Sequence, residues 1–112
     1  MKRVLVVNDN ERELGAGKCY LEVHGYQVFI ANSGKTALEV SKRETLDLIL
    51  SDVQMPGIGG LELIERLRQN GFKGEIGISS MTKVDNSFLE QYRVFGQFSN
   101  VADALKAYEL VK

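Results

Sequence analysis

Asp47-Leu48-Ile49-Leu50-Ser51-Asp52-Val53-Gln54-Met55-Pro56-Gly57-Ile58-Gly59-Gly60-Leu61-Glu62-Leu63 is the stretch that decides the fold. Leu46 to Ser51 reads as a strand, and its unbroken aliphatic character is that of a strand covered on both faces. A carboxylate, Asp52, follows at its end. Gln54 to Gly60 is a loop holding Pro56, the only proline of the chain, and three glycines. A helix follows over Leu61 to Arg68. Leu61, Leu63, Ile64 and Leu67 are its apolar residues, while Glu62, Glu65, Arg66 and Arg68 lie outside. Glu62 and Arg66 stand four apart in the stabilising order.

The same alternation extends in both directions. Upstream, Val4 to Val7 is another continuous aliphatic strand, ended by the polar turn Asn8 to Asn10. Glu11 to Val23 reads as a helix with Leu14, Leu21 and Cys19 facing inward, weakened by Gly15 and Gly17 and closed by His24-Gly25. Gln27 to Ala31 is a second strand, and Asn32-Ser33-Gly34 opens a helix carrying Ala37, Leu38 and Val40. Downstream, Ile76 to Ser80 is a strand weakened by Gly77, and Asn86 to Val94 is a helix. Gln97 to Asn100 reads as a short fifth strand, and Val101 to Val111 as a last helix with Ala104, Leu105 and Tyr108 inward. Five strand–helix repeats with right-handed crossovers predict an α/β fold: a doubly wound, five-stranded parallel sheet with helices on both faces. At 112 residues the chain is the size of one domain, expected to span 1–112.

Composition narrows the function. Fourteen basic against fifteen acidic side chains give a net charge of −1, which argues against direct nucleic-acid binding. One cysteine excludes an intramolecular disulfide, and one histidine beside it speaks against structural zinc. The apolar run after Met1-Lys2-Arg3 stops at Asn8, too short for a signal peptide, and no stretch is long enough to cross a membrane. The expected location is cytoplasmic.

In a doubly wound sheet the functional groups collect beyond the carboxyl ends of the strands. That rule selects Asn8, Asp9 and Asn10, then Asp52, then Ser79 and Ser80, then Ser99 and Asn100. Asp9 and Asp52 end neighbouring strands in this arrangement, and two converging carboxylates call for a cation. Oxygen ligands on loops suit Mg²⁺. A carboxylate beside Mg²⁺ is a competent nucleophile toward phosphorus, with the Ser80 hydroxyl placed to donate to a phosphoryl oxygen. The plainer alternative is that Asp9 caps the first helix and Asp52 merely starts a loop.

These residues make the chain recognisable. Val4-Leu5-Val6-Val7-Asn8-Asp9-Asn10-Glu11, His24-Gly25-Tyr26-Gln27-Val28, Ala31-Asn32-Ser33-Gly34-Lys35-Thr36-Ala37-Leu38 and, above all, the opening stretch through Met55-Pro56-Gly57 resemble the receiver (CheY-like) domain of two-component response regulators. The resemblance covers nearly the whole chain and implies the flavodoxin-like form of the fold. It implies that Asp52 accepts a phosphoryl group from a sensor histidine kinase or phosphotransfer protein. It also implies that Asp9, Asp52 and the Gln54 carbonyl hold Mg²⁺, and that Ser80 is the phosphoryl-binding hydroxyl. Such a domain is a phosphoacceptor and not an enzyme in its own right. The resemblance further implies a partner or homodimer face on the fourth and fifth helices, with Phe88, Tyr92 and Tyr108 available. No output domain follows the fifth helix within the chain, so the downstream effector is unidentified.

Three departures stand out. Asn8 replaces one acid of the family's pair, leaving its side-chain oxygen to accept from a metal-bound water. The Lys-Pro step after the fifth strand is absent, with Asn100 where the lysine is expected and no lysine between Lys83 and Lys106. The segment from Ser80 to Asn100 is short, and the aromatic switch position falls on Gln97 or Phe98. Lys83 reads as a solvated loop lysine. These departures support an alternative: a degenerate pseudo-receiver acting as a phosphorylation-independent interaction module. Ser33-Gly34-Lys35-Thr36 is not a nucleotide-binding loop, because Phe29 stands where its first glycine belongs. Cys19 and His24 sit in no catalytic motif.

Overall fold

The computed structural model describes residues 1–110. Five strands and five helices alternate as β1 (Arg3–Val7), α1 (Glu11–Val23), β2 (Gln27–Ala31), α2 (Gly34–Arg43), β3 (Leu48–Ser51), α3 (Gly60–Gln69), β4 (Glu75–Ser79), α4 (Asn86–Gln91), β5 (Val94–Phe98) and α5 (Val101–Leu110). The strands form one parallel sheet in the order β2-β1-β3-β4-β5. This is the doubly wound sheet expected from the alternation, and β1 lies beside β3 with Val7 opposite Ser51.

The aliphatic runs are unbroken because both sheet faces are covered. Alternate residues of a strand point to opposite faces. Leu5, Val7 and Ile49 join Leu63, Ile64 and Leu67 of α3 in one core layer. Val4, Val6, Leu48 and Leu50 join Leu14 and Leu21 of α1 and Leu105 and Tyr108 of α5 in the other. Each fully buried aliphatic side chain contributes roughly 1.5–3 kcal/mol.

Several local expectations change. Cys19 is exposed. The inward stripe of α1 is Leu14, Gly17 and Leu21 instead, with Gly17 packed against Val101. Leu46 is buried but precedes β3. Ser80 lies one residue beyond β4. Tyr108 is only 1% exposed, so it belongs to the core and not to an available face. The expected end of the last helix, Val111, falls outside the described residues.

The largest shift concerns α4 and β5. The helix stops at Gln91 and β5 runs over Val94–Phe98, beginning three residues and ending two residues earlier than expected. Between them Arg93 takes a left-handed backbone, φ 55°. Arg68 explains how a non-glycine residue is held there. Its guanidinium donates to the carbonyls of Tyr92 (2.7 Å), Arg93 (2.9 Å), Phe72 (3.0 Å) and Gly74 (2.9 Å). Arg68 is therefore half-buried rather than solvated. Desolvation, then the neighbouring Arg93 charge, lowers its pKa from the usual arginine value.

Candidate functional site

The carboxyl ends of β1, β3 and β4 open into a cavity of about 460 Å³, walled by α1 and by the β5–α5 turn. Asn8, Asp52, Ser79, Ser80, Ser99 and Asn100, six of the eight residues the strand-end rule selects, line it together with Gln54, the residue the family resemblance adds. Asp9 is exposed and is not part of the lining. It adjoins Asn8 in sequence, but the cavity that holds Asp52 does not bring the two expected carboxylates together.

Asp52 is tied down from several sides. Its N–H donates to the Val7 carbonyl of β1 at 2.9 Å. One carboxylate oxygen accepts from the Val53 N–H at 2.7 Å. The buried Ser51 hydroxyl donates to the Asp52 carbonyl at 2.8 Å. That carbonyl also packs on Gly60, the first residue of α3, where a Cβ would stand 2.0 Å from the oxygen. Only glycine permits this approach, and it closes the loop that carries Gln54 and Pro56.

Asn8 is fixed by two bonds. Its Oδ1 accepts from the Asn10 N–H at 2.9 Å and its Nδ2 donates to Glu13 at 3.4 Å. One acceptor site of Oδ1 is thus already used. Ser80 is anchored by its N–H, which donates to the Phe98 carbonyl at 2.8 Å. Its Oγ accepts from the Thr82 N–H at 3.1 Å.

Of the two fifth-strand candidates, it is Gln97 that reaches the β4–α4 loop. Its side chain faces the β4–α4 loop, accepts from the Val84 N–H at 2.9 Å and donates to the carbonyls of Ser80 and Thr82. Phe98 joins the opposite core layer beside Phe95. Asn100 lines the cavity where a lysine was expected. Its Oδ1 accepts from the Asp103 N–H at 2.9 Å and so caps α5. Lys83 borders an adjoining hollow of about 260 Å³ with Gln97 and Phe98, which shares Ser80, Met81 and Ser99 with the Asp52 cavity. No lysine or arginine lines the Asp52 cavity among the described residues.

Two features of the site escaped the strand-end rule. Glu13 lines the cavity from α1, and Gln97 clamps the loop behind Ser80. Among the described residues, no group of three or more His, Cys, Asp or Glu is placed to hold a metal ion.

Residues 4–111 match the response regulator receiver domain. The chain belongs to this family. It is 30% identical to the protein PilH of Pseudomonas aeruginosa, over 94% of this chain and 84% of that protein. It is also 30% identical to the CAI-1 autoinducer sensor kinase/phosphatase CqsS of Vibrio cholerae, over 83% of this chain but only 15% of that protein. Among solved structures, the response regulator TrrA of Thermotoga maritima superposes with a TM-score of 0.87 at 26% identity, with both chains fully covered. TrrA was solved in complex with Mg²⁺ and beryllofluoride. The receiver domain belongs to two-component signalling, where it acts with histidine kinases and effectors, and it is not a catalytic enzyme family. No helix among the described residues is long and apolar enough to cross a membrane.

Proposed function

We propose that this receiver domain, taken as one unit over residues 1–112, accepts a phosphoryl group on Asp52 from a histidine kinase or phosphotransfer protein. The observation that carries the reading is Asp52, whose backbone N–H is fixed on the Val7 carbonyl and whose carboxylate accepts from the Val53 N–H, in a cavity it shares with Asn8, Gln54 and Ser80. A carboxylate oxygen of Asp52 attacks phosphorus, the bond to the donor nitrogen breaks, and an acyl phosphate forms. The Ser80 hydroxyl donates to a phosphoryl oxygen.

The donor set fits Mg²⁺. Asp52 and Gln54 line the open cavity and, with the exposed Asp9 beside Asn8 in sequence, would offer oxygen ligands only. Mg²⁺ commonly takes one or two carboxylates and completes its shell with water and phosphate. When bound it supplies charge neutralisation between the carboxylate and the incoming phosphoryl group. The TrrA complex with Mg²⁺ and beryllofluoride supports extending this chemistry to the present chain.

The test is phosphorylation of the purified chain with acetyl phosphate at millimolar Mg²⁺, followed by intact mass, with Asp52→Asn alongside. The expected result is a gain of one phosphoryl group that Asp52→Asn abolishes. Absence of any Asp52-dependent gain overturns the reading and leaves a phosphorylation-independent interaction module.

A further inference from the structure

Glu13 is, with Asp52, one of only two acidic side chains lining the cavity among the described residues. Its position has an ordinary explanation that the geometry removes. Asn10-Glu11-Arg12-Glu13 has the spacing of a capping box. In that motif the cap side chain bonds the third residue's N–H, and the third residue's carboxylate returns to the cap's own N–H. Only the first half forms here: Asn10 Oδ1 accepts from the Glu13 N–H at 3.1 Å. The return bond comes from Asn8, whose Oδ1 accepts from the Asn10 N–H at 2.9 Å.

That exchange releases the Glu13 carboxylate from capping. It rests 3.4 Å from Asn8 Nδ2, on the wall of the cavity that holds Asp52. The residue that brings no charge to the end of β1 thus takes over the capping bond of Glu13 and draws its carboxylate toward the place of the missing one. The general preference of a helix N-terminus for acids applies equally to Glu11, which does not line the cavity.

We propose that Glu13 is a residue of the divalent-cation site, supplying from the first turn of α1 the carboxylate that Asn8 withholds. Mg²⁺ keeps several of its waters, so a carboxylate at the cavity wall serves by accepting from them. The inference rests on the reading of Asp52 as the Mg²⁺-dependent phosphoacceptor.

The test measures Mn²⁺ binding to the purified chain by the loss of the free-ion electron paramagnetic resonance signal, with Mg²⁺ as competitor. Glu13→Gln and Glu13→Ala are expected to weaken binding roughly tenfold, the range for groups that act through a metal's own ligands. Glu11→Gln leaves it unchanged. Asn8→Asp in the Glu13→Gln background restores it. Circular dichroism melts verify that each variant is folded. Wild-type affinity in both Glu13 variants, with affinity lost in Asp52→Asn, overturns the role of Glu13 and leaves the Asp52 reading standing. Wild-type affinity in Asp52→Asn as well overturns both.

Discussion

Gly60→Ala is the substitution that most directly separates the position of Asp52 from its chemistry. The added Cβ would stand 2.0 Å from the Asp52 carbonyl oxygen, about 1.4 Å short of the 3.4 Å where ordinary contact begins. It would also lie 2.8 Å from Val53 Cα. Both neighbours are backbone, so no side chain can swing away and the loop itself must move. Alanine at a helical position recovers up to about 1 kcal/mol of helix propensity. Overpacking of this kind costs roughly 1–3 kcal/mol, so a net destabilisation of about 1–2 kcal/mol is expected in urea melts. The effect on phosphorylation is larger. A displacement of about 1 Å at a reacting group lowers a rate by roughly a hundredfold. The assay is the initial rate of Mg²⁺-dependent phosphorylation by acetyl phosphate. Gly57→Ala is the control: its φ of 75° strains alanine, but nothing stands within 4 Å of the new Cβ. It should lose stability by about 1–2 kcal/mol while keeping the wild-type rate. A Gly60→Ala protein with wild-type rate and stability would refute the claim that this contact positions Asp52.

Four further outcomes are expected. Gly15→Ala, on the exposed side of α1 with open space around the new Cβ, stabilises by about 0.5–1 kcal/mol in thermal or urea melts. Arg68→Ala removes the bonds to four carbonyls and destabilises by about 3 kcal/mol, and Arg68→Lys does not restore the loss because an ammonium lacks the planar fork. Gln97→Ala frees the β4–α4 loop, so hydrogen exchange at the Val84 amide speeds up roughly tenfold, as expected for the loss of about 1.4 kcal/mol of local protection. Burial, then the 2.8 Å bond to Glu109, raises the Tyr26 hydroxyl above its ordinary value. The folded state thus favours the neutral phenol, and this contribution is complete below about pH 10 and is lost as the pH rises further. Urea melts of Tyr26→Phe should show a smaller alkaline loss.

The first half of the fold is legible because its signals are local. Glu11–Val23 and Gln27–Ala31 are bounded by polar turns and glycines, and the structure keeps those limits. The region from α4 to β5 is not legible for a definite reason. Helix ends are read from glycine, yet this one is made by Arg93 at positive φ, and what holds it is Arg68, twenty-five positions away. A tertiary contact of that span leaves no mark in a window of neighbouring residues. The same limit applies to Cys19, since which residues of α1 turn inward depends on Gly17 meeting Val101 of α5. At the site, Asn8, Asp52 and Ser80 were legible because the strand-end rule needs only the order of the elements, while Gln54 was legible only through the family resemblance. Glu13 was hidden by a sequence pattern with a sufficient local explanation, the capping box, whose second half the folded chain makes with another residue.

The two departures around Asp52 act on different steps. Asn8 changes the charge available to a cation, and Glu13 on the adjoining turn restores a carboxylate to the cavity wall. The missing lysine has no such counterpart in the cavity lining, where Asn100 and Ser99 bring only neutral groups and Lys83 lines the adjoining hollow instead. A phosphoryl group there gains neutral hydrogen bonds, about half as strong as a bond to an ammonium. Against that weaker pull stands Gln97, whose side chain joins β5 to Ser80, Thr82 and Val84. Three neutral bonds contribute roughly 1 kcal/mol each. A ligand shifts a conformational equilibrium only by its differential affinity for the two states. On the proposed function, a phosphoryl group on Asp52 would have to outweigh about 3 kcal/mol of Gln97 bonding to move the β4–α4 loop, with one strong contact fewer to do so.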